Sequence, residues 1–364
     1  MWPDRRLLEM FRIEHPILLA PMAGPSTPEL AVAVSEAGGL GSLACATSTA
    51  AQVRTALGVI RQRTAKPINL NFFTHTMPVP DADREARWRT RLRPYYDELG
   101  LDPNDVPSSS RAPFDEGSCA IVEEFKPEVV SFHFGLPEDR LLQRVRATGC
   151  KVIASATTAR EARWLAERGC DAIIAQGNEA GGHRGMFLTD DVATQAGTFA
   201  LVPQVVDAVS VPVIAAGGIT DARGIAAAFA LGASGTQVGT AYLFCPEAQV
   251  SALHRAALKS ATDDSTALTN LFTGRPARGV INRAMRDIGP LSADAPAFPL
   301  AGGALAPLRA AAEAKGSSDF SSLWAGQAAS LGREMPAAEL TRRLAQETVE
   351  RLASLARGSG NSSK

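Results

Sequence analysis

Asp171-Ala-Ile-Ile-Ala-Gln-Gly-Asn-Glu-Ala-Gly-Gly-His-Arg-Gly185 is the stretch around which the chain is organised. Its first part, Asp171 to Ala175, is short, rich in isoleucine and closed by glycine, the pattern of a buried strand. From Gln176 onward it holds too much glycine for a helix. The pattern predicts a loop in which Gly181, Gly182 and Gly185 take positive φ or let backbone come close to a ligand. His183 stands in the middle, and imidazole is the side chain that exchanges a proton most readily near neutral pH. A titratable group among glycines at the carboxyl end of a strand is where α/β enzymes do chemistry.

On either side one unit recurs: a short apolar run, a loop, then an alanine-rich amphipathic segment. The runs begin near residues 16, 40, 67, 129, 151, 171, 212 and 235. Thr27 before Pro28 is suited to cap and start a helix that Gly38 and Gly39 close, and Asp221 caps another. Eight such units in roughly 250 residues predict an α/β fold of the (β/α)₈ barrel kind. A doubly wound open sheet shows the same alternation; the count of eight decides for the barrel. A helix over 247–259 is expected to complete the series.

Between 74 and 112 the rhythm breaks. Met77-Pro-Val-Pro80, the charges from Asp81 to Arg93 and Pro107-Ser-Ser-Ser110 mark an insertion with one helix near 84–99, projecting over one end of the core. The barrel is thus expected over 1–260. Residues 261–364 form a smaller helical cap over its mouth, with a final helix at 337–356 packing on the barrel and a polar tail from Gly358.

Composition excludes several classes. With 37 basic and 38 acidic residues, the net charge of −1 suggests no nucleic-acid partner. Cys45, Cys119, Cys150, Cys170 and Cys245 are dispersed, without the spacing of a metal or disulfide framework. No charged leader precedes an apolar run and no stretch approaches membrane-spanning length, so a soluble, cytoplasmic protein is expected.

Barrel active sites lie at the carboxyl ends of the strands, which gathers Met22, Asn69, His133, Gln176 and His183 on one face. Two loops there carry a second signal. Ala215-Ala-Gly-Gly218 follows the seventh strand, and Gln237-Val-Gly-Thr240 ends the eighth. Paired glycines and a Gly-Thr at these strands form a cradle in which backbone N–H groups point at a phosphate. His133 reads either as a hydrogen-bonded core histidine or as a polar group lining a substrate pocket. His15, His75 and His254 read as structural or surface residues, and Glu179 receives no role.

Ala20-Pro-Met-Ala-Gly24, Asn69-Leu-Asn71, Gln176 to Gly185, Ala216-Gly-Gly218 and Gln237-Val-Gly-Thr240 together resemble the nitronate monooxygenase family, formerly the 2-nitropropane dioxygenases. The likeness runs from about residue 11 to about 290 and includes Phe272-Thr-Gly-Arg-Pro-Ala-Arg278 and Asn282. It implies an FMN-dependent barrel that oxidises alkyl nitronates, and in some members neutral nitroalkanes, with O2 to carbonyl compounds and nitrite, using neither metal nor nicotinamide. By that resemblance Ala20, Pro21 and Met22 lie against the flavin ring; Met22 and His133, at the same strand ends, are the candidate substrate-binding residues. Asn69 and Gln176 bond its polar edge or ribityl chain, and Gly181 admits it closely. Gly217, Gly218, Gln237, Gly239 and Thr240 hold the ribityl and phosphate. His183 is the general base or the partner of the nitronate anion. The expected assembly is a monomer or homodimer.

Well-known members carry tyrosines and a lysine near the flavin entrance, where this chain has Phe298 and Arg309. That leaves the subclass and the preferred nitronate open. The main competing reading is an FMN-dependent enoyl-thioester reductase using NAD(P)H, which shares the barrel, the cradle and an Ala-Gly-Gly-His loop. A purine-nucleotide oxidoreductase would need a cysteine in a glycine-flanked loop, and a flavin carrier would bind FMN without turnover.

Overall fold

The computed structural model describes residues 1–107 and 111–358; the serines at 108–110 and the tail from 359 lie outside the described residues. Eight parallel strands form one sheet: β1 (Ile17–Leu19), β2 (Gly41–Ala44), β3 (Ile68–Phe73), β4 (Val129–His133), β5 (Lys151–Ala156), β6 (Ala172–Gln176), β8 (Val213–Ala216) and β9 (Gly235–Val238). Their order is β1-β9-β8-β6-β5-β4-β3-β2. The edges close on each other through Leu18 and Leu40, where Leu19 N–H donates to the Leu40 carbonyl at 2.9 Å. The fold is a (β/α)₈ barrel. Burial on both faces explains why strands such as β1 and β8 are continuous apolar runs with no polar alternation.

The polar residues that do enter the barrel face one another across the ladder. Ser42 is in register with Asn69 and Asn71 with Ser131. The Asn69 amide donates to Ser42 Oγ at 3.0 Å, and that of Asn71 to Ser131 Oγ at 3.0 Å. Facing placement gives the NH₂ groups of both buried amides an acceptor, while Asn69 Oδ1 has no partner among the described residues.

The eighth helix is not where the sequence pattern put it. Helix Ala252–Lys259 packs on the 3₁₀ turns Thr240–Phe244 and Ala329–Leu331, away from the barrel wall. Helix Ala337–Gly358 instead lies between helices Ala222–Ala230 and Pro28–Glu36, closing the outer ring. Leu340, Leu344 and Ala345 join the main core, Thr341 Oγ1 meets Tyr242 Oη at 2.8 Å, and Ala337 N–H donates to the Glu247 carboxylate. Amphipathic spacing shows that a helix has a buried face, but not what covers that face.

The insertion and the carboxy-terminal segment share a second core. Trp88, Leu92 and Tyr96 of helix Ala82–Leu99 pack with Leu271, Phe272, Met285, Leu305 and Phe320. Trp88 and Tyr96 also donate to the Ala301 and Ala304 carbonyls. Beside this body lies an antiparallel sheet of β10 (Thr266–Thr269), β11 (Ala277–Val280) and β7 (Gly182–His183). Among the described residues no helix is long and apolar enough to cross a membrane.

Leu344→Ala is expected to destabilise the whole barrel by roughly 2–5 kcal/mol, read as a lower urea midpoint. Leu355→Ala, at a position 61% exposed on the same helix, should leave the midpoint in place. Equal midpoints for the two variants would remove the helix from the barrel wall.

Candidate active site

A cavity of about 410 Å³ opens at the carboxyl ends of the barrel strands. Ala20, Pro21, Met22, His133, Gln176, Gly181, His183, Gly217, Gly218, Gln237, Gly239 and Thr240 all line it. Asn69 does not: it is fully buried and committed to Ser42, and the strand-three amide on the cavity wall is Asn71. A strand rises ~3.3 Å per residue, so two positions earlier lies a full layer deeper in the barrel.

The glycine loop is not free. Gly182 and His183 form β7, paired with Arg278 and Ala277 of β11. The His183 carbonyl accepts from Gln176 Nε2 at 3.0 Å and from His133 Nε2 at 3.2 Å. Gly185 N–H donates to Gln176 Oε1 at 2.7 Å. Gln176, expected at the polar edge of a flavin, therefore brackets the loop with both ends of its amide and keeps one N–H for anything else. The fully buried Arg184 secures the base of the loop by donating to the Gln176 and Gly177 carbonyls.

Only one of the three loop glycines takes positive φ, Gly182 at +71°. A Cβ on Gly181 would stand 2.6 Å from the Ala325 carbonyl carbon and the Gly326 nitrogen. One on Gly185 would stand 2.8 Å from His133 Cε1. The smallness of Gly181, expected to admit a ligand, lets the cap backbone close over the loop.

Partners set both tautomers. A carbonyl only accepts, so His133 carries its proton on Nε2 and its Nδ1 accepts from Ser155 Oγ at 3.0 Å. His183 Nε2 lies 3.0 Å from Thr273 Oγ1, whose own proton goes to the Arg275 carbonyl. Nε2 is then the donor, and Nδ1 keeps a lone pair with no protein partner among the described residues. Burial, first, then the charge of Arg111, the neighbouring His133, Arg275 and His75, hold the His183 pKa well below its ordinary 6.5. Burial takes His133 down to about 4. Both rings are neutral at pH 7. Phe298, Trp324, Phe73 and Phe134 surround His183 at ring distances of 5.4, 5.7, 5.9 and 5.9 Å.

At the other end of the cavity Gly217 and Gly218 take φ of +107° and +69°. Outside the strand ladders, no acceptor is found among the described residues for the N–H groups of Gly218, Ile219 and Thr240. The Glu179 carboxylate caps helix Thr198–Ala208 by accepting from Thr198 N–H and Oγ1, so that helix start is taken. Gln237 Oε1 is buried without a partner on the cavity wall. Free donors here suit an anion, and the orphaned amide oxygen suits a hydroxyl-bearing chain.

The cap supplies what sequence reading passed over. Gly326 N–H donates to Thr240 Oγ1 at 2.9 Å and Gln327 N–H to the Glu179 carbonyl at 3.0 Å, so the Trp324–Ala328 segment seals the cradle. Trp324, Arg111 and Arg309 line the cavity as well. Arg309 is marked only by the family resemblance, and no local pattern singles out Trp324 or Arg111, because each reaches the site from an element outside the eightfold repeat.

All five histidines have lowered pKa values, each mainly through burial. The unfolded chain then binds protons near pH 6.5 that the folded one refuses, so stability is full above that pH and falls as pH drops toward 4. His133 alone, at 6.5 unfolded and about 4 folded, accounts for on the order of 3 kcal/mol by pH 4. Urea midpoints at pH 7.5 and 5 should show the loss, with a shallower slope in His133→Gln.

The nitronate monooxygenase family model matches residues 4–347. A nitronate monooxygenase of Pseudomonas aeruginosa is 44% identical, over 94% of this chain and 98% of its own. One from Paraburkholderia phytofirmans is 42% identical, over 96% and 97%. Among solved structures, a nitroalkane oxidase from Streptomyces ansochromogenes superposes with a TM-score of 0.86 at 37% identity, covering 96% of this chain and 99% of that one. FabK from Thermotoga maritima follows at 0.72 and 30%, covering 99% and 100%. With family model, relatives and fold in agreement, this chain belongs to the nitronate monooxygenase family and is an oxidoreductase.

Proposed function

We propose that the protein binds FMN and oxidises alkyl nitronates with O2 to carbonyl compounds and nitrite, and that it also accepts neutral nitroalkanes. The observation that carries this reading is a neutral imidazole whose Nδ1 has no protein partner among the described residues, in the same cavity as backbone N–H groups that likewise find no acceptor there. FMN, when bound, supplies the electron transfer that no side chain here can.

The residues fit that group. Gly218, Ile219 and Thr240 offer N–H groups to its phosphate, and Gln237 Oε1 offers an acceptor to its ribityl chain. Ala20, Pro21 and Met22 line the side of the cavity beside Gly239, where a Cβ would come within 3.2 Å of Ala20 Cβ. His183 faces the substrate end. It takes the α-proton of a neutral nitroalkane at Nδ1, while Thr273 holds its other nitrogen in the required tautomer. His133 and Gln176 act through the His183 carbonyl and so are positioning residues. The aromatic ring set around His183 excludes water and bounds the alkyl group. Five buried thiols suit a reducing compartment, and we place the protein in the cytoplasm as a monomer or homodimer.

Aerobic assay for nitrite and carbonyl across several nitronates tests the reaction. Rapid anaerobic flavin reduction by NADH without nitrite release would move the reading to an enoyl-thioester reductase. His183→Asn should slow neutral nitroalkane turnover by about 10²–10⁴-fold and preformed nitronate far less. Equal losses on both would make His183 a binding group only. Gly218→Val places a branched side chain at φ +69° and within 3.2 Å of Glu179 Cβ. It should yield colourless protein, and an unchanged flavin content would sink the phosphate assignment.

A further inference from the structure

A neutral His183 can accept a proton or donate a hydrogen bond, but it brings no positive charge to an anionic substrate. The charge must come from elsewhere in the cavity. Three of the arginines at this end of the barrel donate to backbone carbonyls. Arg184 donates to the Gln176 and Gly177 carbonyls, Arg278 to those of Asn178 and Thr266, and Arg275 to that of Met186. Arg275 also lies 4.1 Å over the Phe134 ring.

Arg111 and Arg309 line the cavity, and among the described residues neither guanidinium has a carboxylate or carbonyl partner. Arg309 is exposed, while Arg111 is half-buried. Burial and the charge of Arg309 both lower the Arg111 pKa, and no acidic group opposes them. Arg111 is nonetheless held in place. Its carbonyl accepts from His75 Nε2 at 2.9 Å, and its guanidinium sits 5.8 Å from the Phe298 ring centre. Phe298 in turn lies 4.7 Å from the His75 ring and 5.4 Å from that of His183. A half-buried guanidinium on a cavity wall, with no carboxylate partner among the described residues, suits a ligand that supplies the counter-charge.

We propose that Arg111 is a specificity-determining residue of this site: its planar fork binds the two oxygens of the anionic nitronate, and His75 and Phe298 hold it beside His183. This rests on the nitronate reading above. Two parallel N–H groups match two nitro oxygens, a geometry that a lysine or an uncharged donor does not reproduce.

The test uses the flavin-loaded enzyme with nitroethane, its preformed nitronate, and sodium nitrate as a planar oxyanion probe followed by the visible flavin spectrum. Arg111→Met should raise KM for the nitronate and weaken nitrate binding by about tenfold or more, with little change in KM for neutral nitroethane. Arg111→Lys should recover part of the loss. The pH at which neutral nitroethane turnover rises should move upward in Arg111→Met, leaving Arg275, His133 and His75 as the groups facing His183. Unchanged nitronate KM and nitrate affinity at full flavin content would overturn the proposal. Should Arg111→Met not fold, Arg111→Gln, polar and uncharged, decides by the same nitrate titration. A wild-type enzyme that binds nitrate through Arg111 but releases no nitrite from any nitronate would instead overturn the proposed reaction and leave Arg111 as an anion site.

Discussion

The carbonyl oxygen of His183 is the point on which the site turns. It accepts from both Gln176 and His133, and the two-residue strand that carries it is paired with β11. A glycine-rich loop has the most conformational freedom to lose, and these bonds remove it before any ligand arrives. Gln176 comes from β6, His133 from β4 and β11 from the cap, so three separate parts of the chain fix one imidazole. Rigid placement is what would make this imidazole effective in the proposed proton transfer.

The electrostatics follow from the same enclosure. Aromatic rings surround His183, and the charges of Arg111 and Arg275 add to burial in lowering its pKa. Burial disfavours the imidazolium, nearby cations add to that, and the ring stays a base. Among the described residues the cavity lining holds no acidic side chain, which suits an anionic ligand. The buried carboxylate nearby, Glu161, is fully engaged by the Thr157, Phe187 and Leu188 N–H groups and serves the loop after Gly185.

The cap is part of the active site rather than an appendage. Its backbone at Ala325 and Gly326 comes close enough to Gly181 that a methyl group would not fit, and it bonds Thr240 and Glu179 across the cradle. The chain then returns to the barrel to supply the eighth helix, Ala337–Gly358, bonded to Tyr242 and Glu247. Barrel and cap are thus interleaved along the chain. A cap stitched into the barrel wall at both ends has little freedom to drift from the cavity.

Periodicity limited the fold to a parallel α/β sheet buried on both faces, and the count of eight repeats chose the closed barrel over the open sheet. Composition and glycine placement likewise marked the loop of His183 and the two loops at β8 and β9. Tertiary structure decided the rest. Asn69 and Asn71 share a strand face, and only depth in the barrel separates the buried amide from the one on the cavity wall. Gly181 and Gly185 are small because distant backbone and His133 press on them. Arg111 and Trp324 have no local pattern, since a guanidinium or an indole becomes part of a site only through what the folded chain brings beside it. Local sequence encodes which surfaces must be buried; which surfaces meet is a property of the closed fold.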